Sequence, residues 1–247
     1  WNGTTTIGGS FAFIRTGFYS AVGDKRYMTF AGPVILASDA TVTGAHHTYP
    51  DDAILEFAPV PANTIQWTDN RILTFNDTGE VSFTGPLAGT AAKTLTFAGS
   101  NTEVTLKALS GSAGGGLVIN STTGGIYTLD LANTYTEPTS VLSGTLRIKG
   151  DTATMQSTSV VVSNPGIFEI TNDGSANLDR IPNACAVTLN GGTFKINAPS
   201  GGDRTEQVGA VTCTTAGGSA VSKVMLNSTS TNNRVSRLTA GSLTINP

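Results

Sequence analysis

Charged side chains are scarce in this chain. Only 13% of the 247 residues are Asp, Glu, Lys or Arg, and the formal net charge is −3. A nucleic-acid-binding protein needs a basic face that neutralises phosphates, so we expect no nucleic-acid partner. No apolar run reaches the roughly 18 residues that a membrane-spanning helix requires, so we also expect no membrane-spanning segment.

Cysteine and histidine are equally scarce, with two of each. Neither cysteine has another ligand-type residue at metal-binding spacing, so we expect no metal and no cofactor. Cys185 and Cys213 are separated by about one period of the repeat described below. If they stack on adjacent coils, their Cα atoms could reach the roughly 4.4 to 6.8 Å of a disulfide. Two small buried residues are the alternative, and both remain open.

A short motif recurs several times along the chain. A glycine starts a five-residue strand at 144, 166, 192 and 241, giving a period of roughly 22 to 26 residues with the last interval about twice as long. Repeats of this length are typical of solenoids, because one unit cannot bury its apolar face alone. The sequence therefore predicts an all-β solenoid.

In each copy the second and fourth residues after the glycine are apolar, which indicates a strand with one buried face. The predicted core ladder consists of Leu146, Ile148, Phe168, Ile170, Phe194, Ile196, Leu243 and Ile245. The residue between each pair should point outward, and in three copies it is charged. If the copies lie on successive coils, Arg147, Glu169 and Lys195 form an outer charge ladder of alternating sign. Such exposed pairs stabilise by only about 0.2 to 1 kcal/mol each.

The stretch from Asn133 to Ile148, Asn-Thr-Tyr-Thr-Glu-Pro-Thr-Ser-Val-Leu-Ser-Gly-Thr-Leu-Arg-Ile, resembles the autotransporter-associated β-strand repeat of large bacterial secreted and surface proteins. It departs from that repeat at Glu137, where glycine is usual, and at Pro138. The segments Val187 to Phe194 and Gln207 to Val211 are similar to those that usually follow. The resemblance covers about residues 72 to 247. It implies that the all-β fold is a right-handed parallel β-helix, which serves as a stalk or surface passenger and has no catalytic residues.

We divide the chain into three parts. Residues 1–42 are the least repetitive and are predicted to cap one end of the solenoid or to dock on a neighbour, because the open ends of a β-helix must be covered. Residues 43–70 contain two prolines and a polar run, and are predicted to be a loop excursion or small insertion. Residues 71–247 are predicted to be the solenoid. The chain starts without a leader pattern and stops in mid-pattern, so we expect a piece of something longer.

The most reactive residue set is His46, His47, Asp51 and Asp52, which with Tyr49 lies in the polar excursion. These residues could bind a cation or supply acid and base groups. A solvated loop explains them more simply, and we treat it as a candidate partner-binding loop.

Three functions follow from this sequence. The first is an extracellular structural solenoid, a bacterial stalk or fibre subunit that self-associates end to end or continues into neighbouring segments, and that is not an enzyme. The second is an adhesin that binds a glycan or a host protein through loops. The third is a polysaccharide lyase or hydrolase on a β-helix scaffold. Fold alone does not choose among them, because function depends on the site.

Overall fold

The structure is a computed structural model, and it describes residues 5–13, 26–44, 53–57, 64–76, 80–83, 86–89, 93–100, 103–106, 109–112, 116–171, 179–198, 204–215, 220–228 and 236–246. In these residues the regular structure consists of 22 strands, with no helix. The fold prediction is therefore confirmed at the level of an all-β, parallel, solenoid-like architecture.

Two sheets contain all of these strands. The 13-stranded sheet contains β1 (Thr5–Phe13), β3 (Val34–Gly44), β5 (Ile65–Trp67), β6 (Arg71–Asn76), β8 (Pro86–Gly89), β9 (Leu95–Gly99), β11 (Ser110–Ser112), β12 (Leu117–Ser121), β14 (Thr139–Ser143), β16 (Ser159–Ser163), β18 (Ala186–Asn190), β20 (Arg204–Thr214) and β22 (Ser236–Asn246). The 9-stranded sheet contains β2 (Arg26–Phe30), β4 (Ala53–Phe57), β7 (Glu80–Phe83), β10 (Glu103–Thr105), β13 (Ile126–Leu129), β15 (Thr145–Lys149), β17 (Ile167–Thr171), β19 (Thr193–Ala198) and β21 (Lys223–Ser228).

Each turn of the chain, here called a coil, contributes strands to both sheets and stacks on the coil before it. Every pairing between named strands is parallel, as expected when the chain winds in one direction. The long strand β3 pairs with β5 through its first half and with β6 through its second half. The 13-stranded sheet therefore bends into two faces, and the 9-stranded sheet is the third.

Apolar side chains at equivalent positions form columns inside the coils. In the 9-stranded sheet Leu146, Phe168 and Phe194 are in register and buried, and the last two rings stack with centroids 5.3 Å apart. A second column contains Ile148, Ile170 and Ile196. These two columns are the inner face that the period-two pattern predicts. Each fully buried side chain of this size stabilises the fold by about 1.5 to 3 kcal/mol.

Corners between the sheets require residues without a side chain. Gly144 has a φ of +79°, and a Cβ there would lie 2.7 Å from Gly125 O. At Gly192 a Cβ would lie 2.5 Å from Val162 O. The approach of neighbouring coils therefore excludes any larger residue, which explains why glycine recurs at this point of the repeat.

The predicted core ladder is wrong in its last pair of residues. Leu243 and Ile245 lie in the 13-stranded sheet, in register with Val211 and Cys213, and are 64% and 70% exposed. Gly241 stacks on Gly209, at a different corner from Gly144. A glycine motif marks a corner of the coil, but a three-sided coil has several corners.

The true continuation of the ladder is β21. Val224 pairs with Phe194, and Leu226 pairs with Ile196. Lys223 N donates to Gly192 O, so Ser222 takes the place of the corner glycine.

The predicted three-part division also needs correction. The boundary after residue 42 falls inside β3, and β1 pairs with β3 in the same sheet as the later coils. Within the predicted excursion, β4 pairs with β2 and β7, while β5 pairs with β3 and β8. The described parts of residues 1–70 therefore belong to the solenoid.

Candidate functional surfaces

The charge ladder is assembled on the outer side of β15, β17 and β19, but its centre is not exposed. Glu169 is only 4% exposed. Its carboxylate lies 3.3 Å from the Arg147 Nη2 atom on one side and 3.3 Å from the Lys195 Nζ atom on the other. Thr171 Oγ1 donates to it at 3.0 Å, and Asn197 Nδ2 donates at 3.4 Å. Glu169 is therefore a desolvated anion between two cations, which corrects the expectation of a solvated ladder.

The pKa of Glu169 shows whether burial or the neighbouring cations have the larger effect on its carboxyl group. Burial disfavours the charged carboxylate and would raise the pKa, whereas Arg147, Lys195 and the Thr171 hydrogen bond favour it. The net result is a pKa below the ordinary 4.5. The ladder therefore holds its charge at neutral pH and serves as an internal tie between three coils.

A second carboxyl group, Glu206 on β20, lies in the opposite electrostatic situation. It is 1% exposed and accepts hydrogen bonds from the backbone N–H groups of Arg180 and Ile181, at 3.0 to 3.1 Å. Burial raises the pKa of Glu206 to about 8, with Asp179 adding to the rise and the two backbone N–H groups opposing it. The Arg180 Nη1 atom donates to Ala153 O at 2.8 Å. The folded chain therefore holds the Glu206 proton more tightly than water-exposed glutamate does.

A further buried polar cluster is formed by Tyr135, Thr139 and Ser157. The Tyr135 hydroxyl lies 2.5 Å from Thr139 Oγ1, which donates to Ser157 Oγ at 3.1 Å. Ser157 Oγ in turn donates to Glu137 O at 2.5 Å. These hydroxyls are all used in internal bonds, so the cluster ties coils together and leaves no group free for chemistry.

The C-terminal coil leaves its apolar side chains open. Six large apolar residues there are between 41% and 70% exposed: Val221, Val224, Met225, Leu226, Leu243 and Ile245. Three of their counterparts one coil earlier, Phe194, Ile196 and Val211, are at most 3% exposed. Cys213, the counterpart of Ile245, is half-buried, and Met225 follows the outward-facing Lys195. Among the described strands, β21 pairs only with β19, and β22 only with β20. This surface is called the open end below.

The outer side of the 13-stranded sheet carries a long row without charge. It runs along eight successive strands through Ile72, Thr96, Val118, Ser140, Val161, Thr188, Thr212 and Thr244. At about 4.8 Å per strand the row is roughly 34 Å long. It is called the neutral row below. The outer side of the 9-stranded sheet is charged by comparison, because Arg147, Glu169 and Lys195 occupy the equivalent positions there.

The two cysteines are both free thiols. Cys213 is in register with Leu189, whereas the Cys185 carbonyl accepts a hydrogen bond from Gly209 N, four residues away from Cys213 along the chain. The possible disulfide is therefore absent, since the adjacent coils place the two residues in different columns. Burial raises the pKa of the Cys185 thiol to about 11, and the nearby Glu206 adds to this rise.

The candidate partner-binding loop, His46, His47, Tyr49, Asp51 and Asp52, lies outside the described residues. Within the residues that the structure describes, no group of three or more His, Cys, Asp or Glu side chains could hold a metal ion. The same described part contains no helix that is both long and apolar enough to span a membrane.

Sequence reasoning missed Glu206 and the neutral row. Glu206 stands two residues before the buried Val208 on β20, so period two alone would have marked it as a charged residue at an inward position. The neutral row can be recognised only when the register of eight strands is known, and no single strand reveals that register. Comparison with models of protein families, with curated proteins and with solved structures finds no match to this chain.

Proposed function

We propose that the chain is a structural β-solenoid, a stalk or fibre subunit of an extracellular, bacterial protein of the autotransporter-associated repeat type. The observation that carries the proposal is a column of ten residues in register, of which the seven from Ala40 to Leu189 are buried. It passes through Gly9, Ala40, Leu73, Phe97, Ile119, Val141, Val162, Leu189, Cys213 and Ile245, one residue in each strand.

Such a column supports a mechanical role. Each coil pairs its backbone with the next and buries its apolar residues against it, so bending the rod would open many contacts at once. Nine strands of the smaller sheet at about 4.8 Å spacing give a rod of roughly 38 Å.

The use of the polar groups also supports a non-enzymatic role. Glu169 is neutralised by two cations, and Glu206 accepts backbone hydrogen bonds. A hydrolase or lyase site needs such groups to converge on an open surface where a substrate can reach them.

Imaging of the native material tests this function. We expect antibodies raised against the chain to label rods or fibres on the cell surface, and deletion of the coding region to remove or shorten them. Labelling confined to the cell interior, or surface fibres unchanged by the deletion, would refute the proposal. Purified chain should also release no reducing sugars or unsaturated products from polysaccharides.

The neutral row favours a second candidate, an adhesin for an uncharged glycan. Its hydroxyl groups, at Thr96, Ser140, Thr188 and Thr212, can donate and accept hydrogen bonds. A glycan array should then show binding to neutral polymers that is lost in Thr188→Asp/Thr212→Asp. The matched control is Thr123→Asp, at an exposed position outside the row. Equal binding by both variants would count against the row as a glycan surface.

A further inference from the structure

We infer that the corner Asn190-Gly191 is a latent self-modification site, at which the asparagine converts to aspartate or isoaspartate when the following coil detaches. This inference goes beyond the proposed function and does not depend on it. Asn190 is the last residue of β18, and Gly191 and Gly192 form the corner that leads to β19. An asparagine followed by glycine is the most reactive kind, because no Cβ hinders the approach of the glycine nitrogen.

The reaction needs no enzyme and no cofactor. The Gly191 backbone nitrogen attacks the Asn190 Cγ atom, the Cγ–Nδ2 bond breaks, and ammonia leaves with the proton that the Gly191 nitrogen gives up. Water then opens the resulting cyclic imide at either of its carbonyl carbons. Opening at the side-chain carbonyl gives aspartate. Opening at the backbone carbonyl gives isoaspartate, in which the main chain runs through the Cβ and Cγ atoms of the residue.

The following coil holds the attacking nitrogen in place. The Gly191 N–H group donates to Thr214 O at 3.1 Å and to Ser222 Oγ at 3.0 Å. The Ser222 hydroxyl is fixed in turn, since its oxygen lies 2.6 Å from Leu189 O and 2.7 Å from Thr214 O. The Gly191 nitrogen must therefore leave these partners before it can lose its proton and turn towards the side chain.

The side chain and carbonyl group of Asn190 are held as well. Asn190 Oδ1 accepts a hydrogen bond from Thr214 Oγ1 at 2.6 Å, and Asn190 O accepts one from Asn164 N, in the preceding coil, at 3.1 Å. Closing the imide ring requires rotation about the Cα–C bond of Asn190, which breaks these contacts. Because β18 pairs with β16 on one side and β20 on the other, the corner must open before this rotation can occur.

Thr214 and Ser222 belong to the following coil, and together they engage both reacting groups. The site is therefore closed in the native stack and reacts only in molecules in which this coil has detached locally. When opening and closing are faster than the reaction, the rate of deamidation follows the population of the open form. The modification thus leaves a permanent chemical record of a reversible opening.

The isoaspartate product does not fit the closed corner. It inserts the Cβ atom of residue 190 into the main chain directly before the two glycines. At Gly192 even an added Cβ would lie 2.5 Å from Val162 O, so neighbouring coils leave no room for a longer main chain. A modified molecule therefore keeps a loosened corner between β18 and β19, and such molecules accumulate wherever the protein is not renewed.

Peptide mapping by mass spectrometry tests whether the fold controls the reaction. The purified full chain is incubated in mildly alkaline buffer with and without urea, for as long as Asn2, which also precedes a glycine, takes to react in urea. Asn190 should deamidate at least tenfold more slowly in the folded chain than in urea. Equal rates at Asn190 under the two conditions, or an Asn190 that stays intact in urea, would overturn the inference.

Two variants test the part played by the following coil. Ser222→Ala and Thr214→Val each remove a hydroxyl that contacts the site, and each should speed deamidation of Asn190 in the folded chain at least threefold. The matched control is Ser143→Ala, which removes a hydroxyl that bonds Asn120 two coils earlier, and it should react like wild type. Rates that are unchanged in both variants, or that rise equally in the control, would show that these contacts do not close the site.

Hydrogen exchange of the aged chain tests the structural consequence. Molecules with isoaspartate at position 190, separated by ion exchange, should exchange the amides of β19 to β21 faster than unaged chain and those of β12 to β14 at the same rate. Asn190→Asp carries the same added charge on an unchanged main chain, and it should exchange like wild type. Aged molecules that exchange like unaged ones would refute the loosened corner.

Discussion

Two buried tyrosines show how much a single hydroxyl matters inside this solenoid. Tyr127 and Tyr135 are both fully buried. The Tyr127 hydroxyl has no hydrogen-bond partner in the described part of the chain, whereas that of Tyr135 bonds Thr139. Burial raises the pKa of Tyr127 to about 12, so the phenol stays neutral across the usual pH range.

We therefore expect opposite effects from the same substitution. Tyr127→Phe removes an unsatisfied polar atom and should raise the free energy of unfolding by about 1 kcal/mol. Tyr135→Phe leaves Thr139 short of a partner and should lower it by about 1 to 2 kcal/mol. Urea unfolding followed by circular dichroism measures both. A loss of stability in Tyr127→Phe equal to that in Tyr135→Phe would contradict the assignment.

Glu206 predicts how stability changes at alkaline pH. Its pKa rises from 4.5 to about 8 on folding, so the native state holds the proton more tightly than the unfolded state. Its contribution is therefore complete below pH 4.5 and is lost as the pH rises through about 8. Glu206→Gln should remove this loss and exceed wild type at high pH by on the order of 3 kcal/mol. Thermal melts at several pH values test this, and parallel curves for the two proteins would refute it.

At the scale of the strands, the charge ladder links β15, β17 and β19 across three coils. A surface ion pair would contribute little, but Glu169 is desolvated and bonded on both sides. Removing the central charge would leave Arg147 and Lys195 adjacent with no anion between them. The three strands thus share one electrostatic contact as well as their backbone hydrogen bonds.

Glu169→Gln should lower the free energy of unfolding by about 2 kcal/mol at neutral pH. The native pKa lies below 4.5, so this stabilisation is present above pH 4.5 and is lost as the pH falls through the native pKa. The difference in the free energy of unfolding between wild type and variant should therefore disappear in acid. Asp151→Asn, at an exposed position, is the matched control and should change little. A gap that stays constant down to low pH would exclude the ladder as its source.

At the scale of the whole molecule, stability is distributed along the rod. Each coil contacts mainly its two neighbours, so the total is close to a sum of coil and interface terms. At the open end, among the strands that the structure describes, β21 and β22 each pair on one side only. The rod should therefore open from this end before its middle.

Hydrogen exchange of dilute monomer should show this gradient. Amides of β21 and β22 should exchange much faster than those of β16 to β19, since local opening costs less where one side is uncovered. Uniform protection along the rod at low concentration would be inconsistent with this account.

Local pattern was enough to predict the winding of the middle coils. Glycine at 144, 166 and 192 with apolar residues two and four places later predicts one strand per coil in register, because a slip of one residue would turn the buried face outward. The same pattern at Gly241 led to the wrong sheet. Glycine also occurs at other corners of the coil, and Gly241 lies over Gly209 at a corner different from that of Gly144.

The sequence by itself determined that the chain winds as parallel β-coils, since period-two burial and corner glycines depend only on neighbouring residues. Tertiary structure alone decided which columns Leu243 and Ile245 join, that Cys185 and Cys213 lie apart, and that Glu169 and Glu206 are buried with opposite pKa shifts. Those outcomes depend on the residue one coil away, at a distance along the chain that loops of variable length set. The physical reason is that stacking, rather than local preference, determines what each side chain contacts.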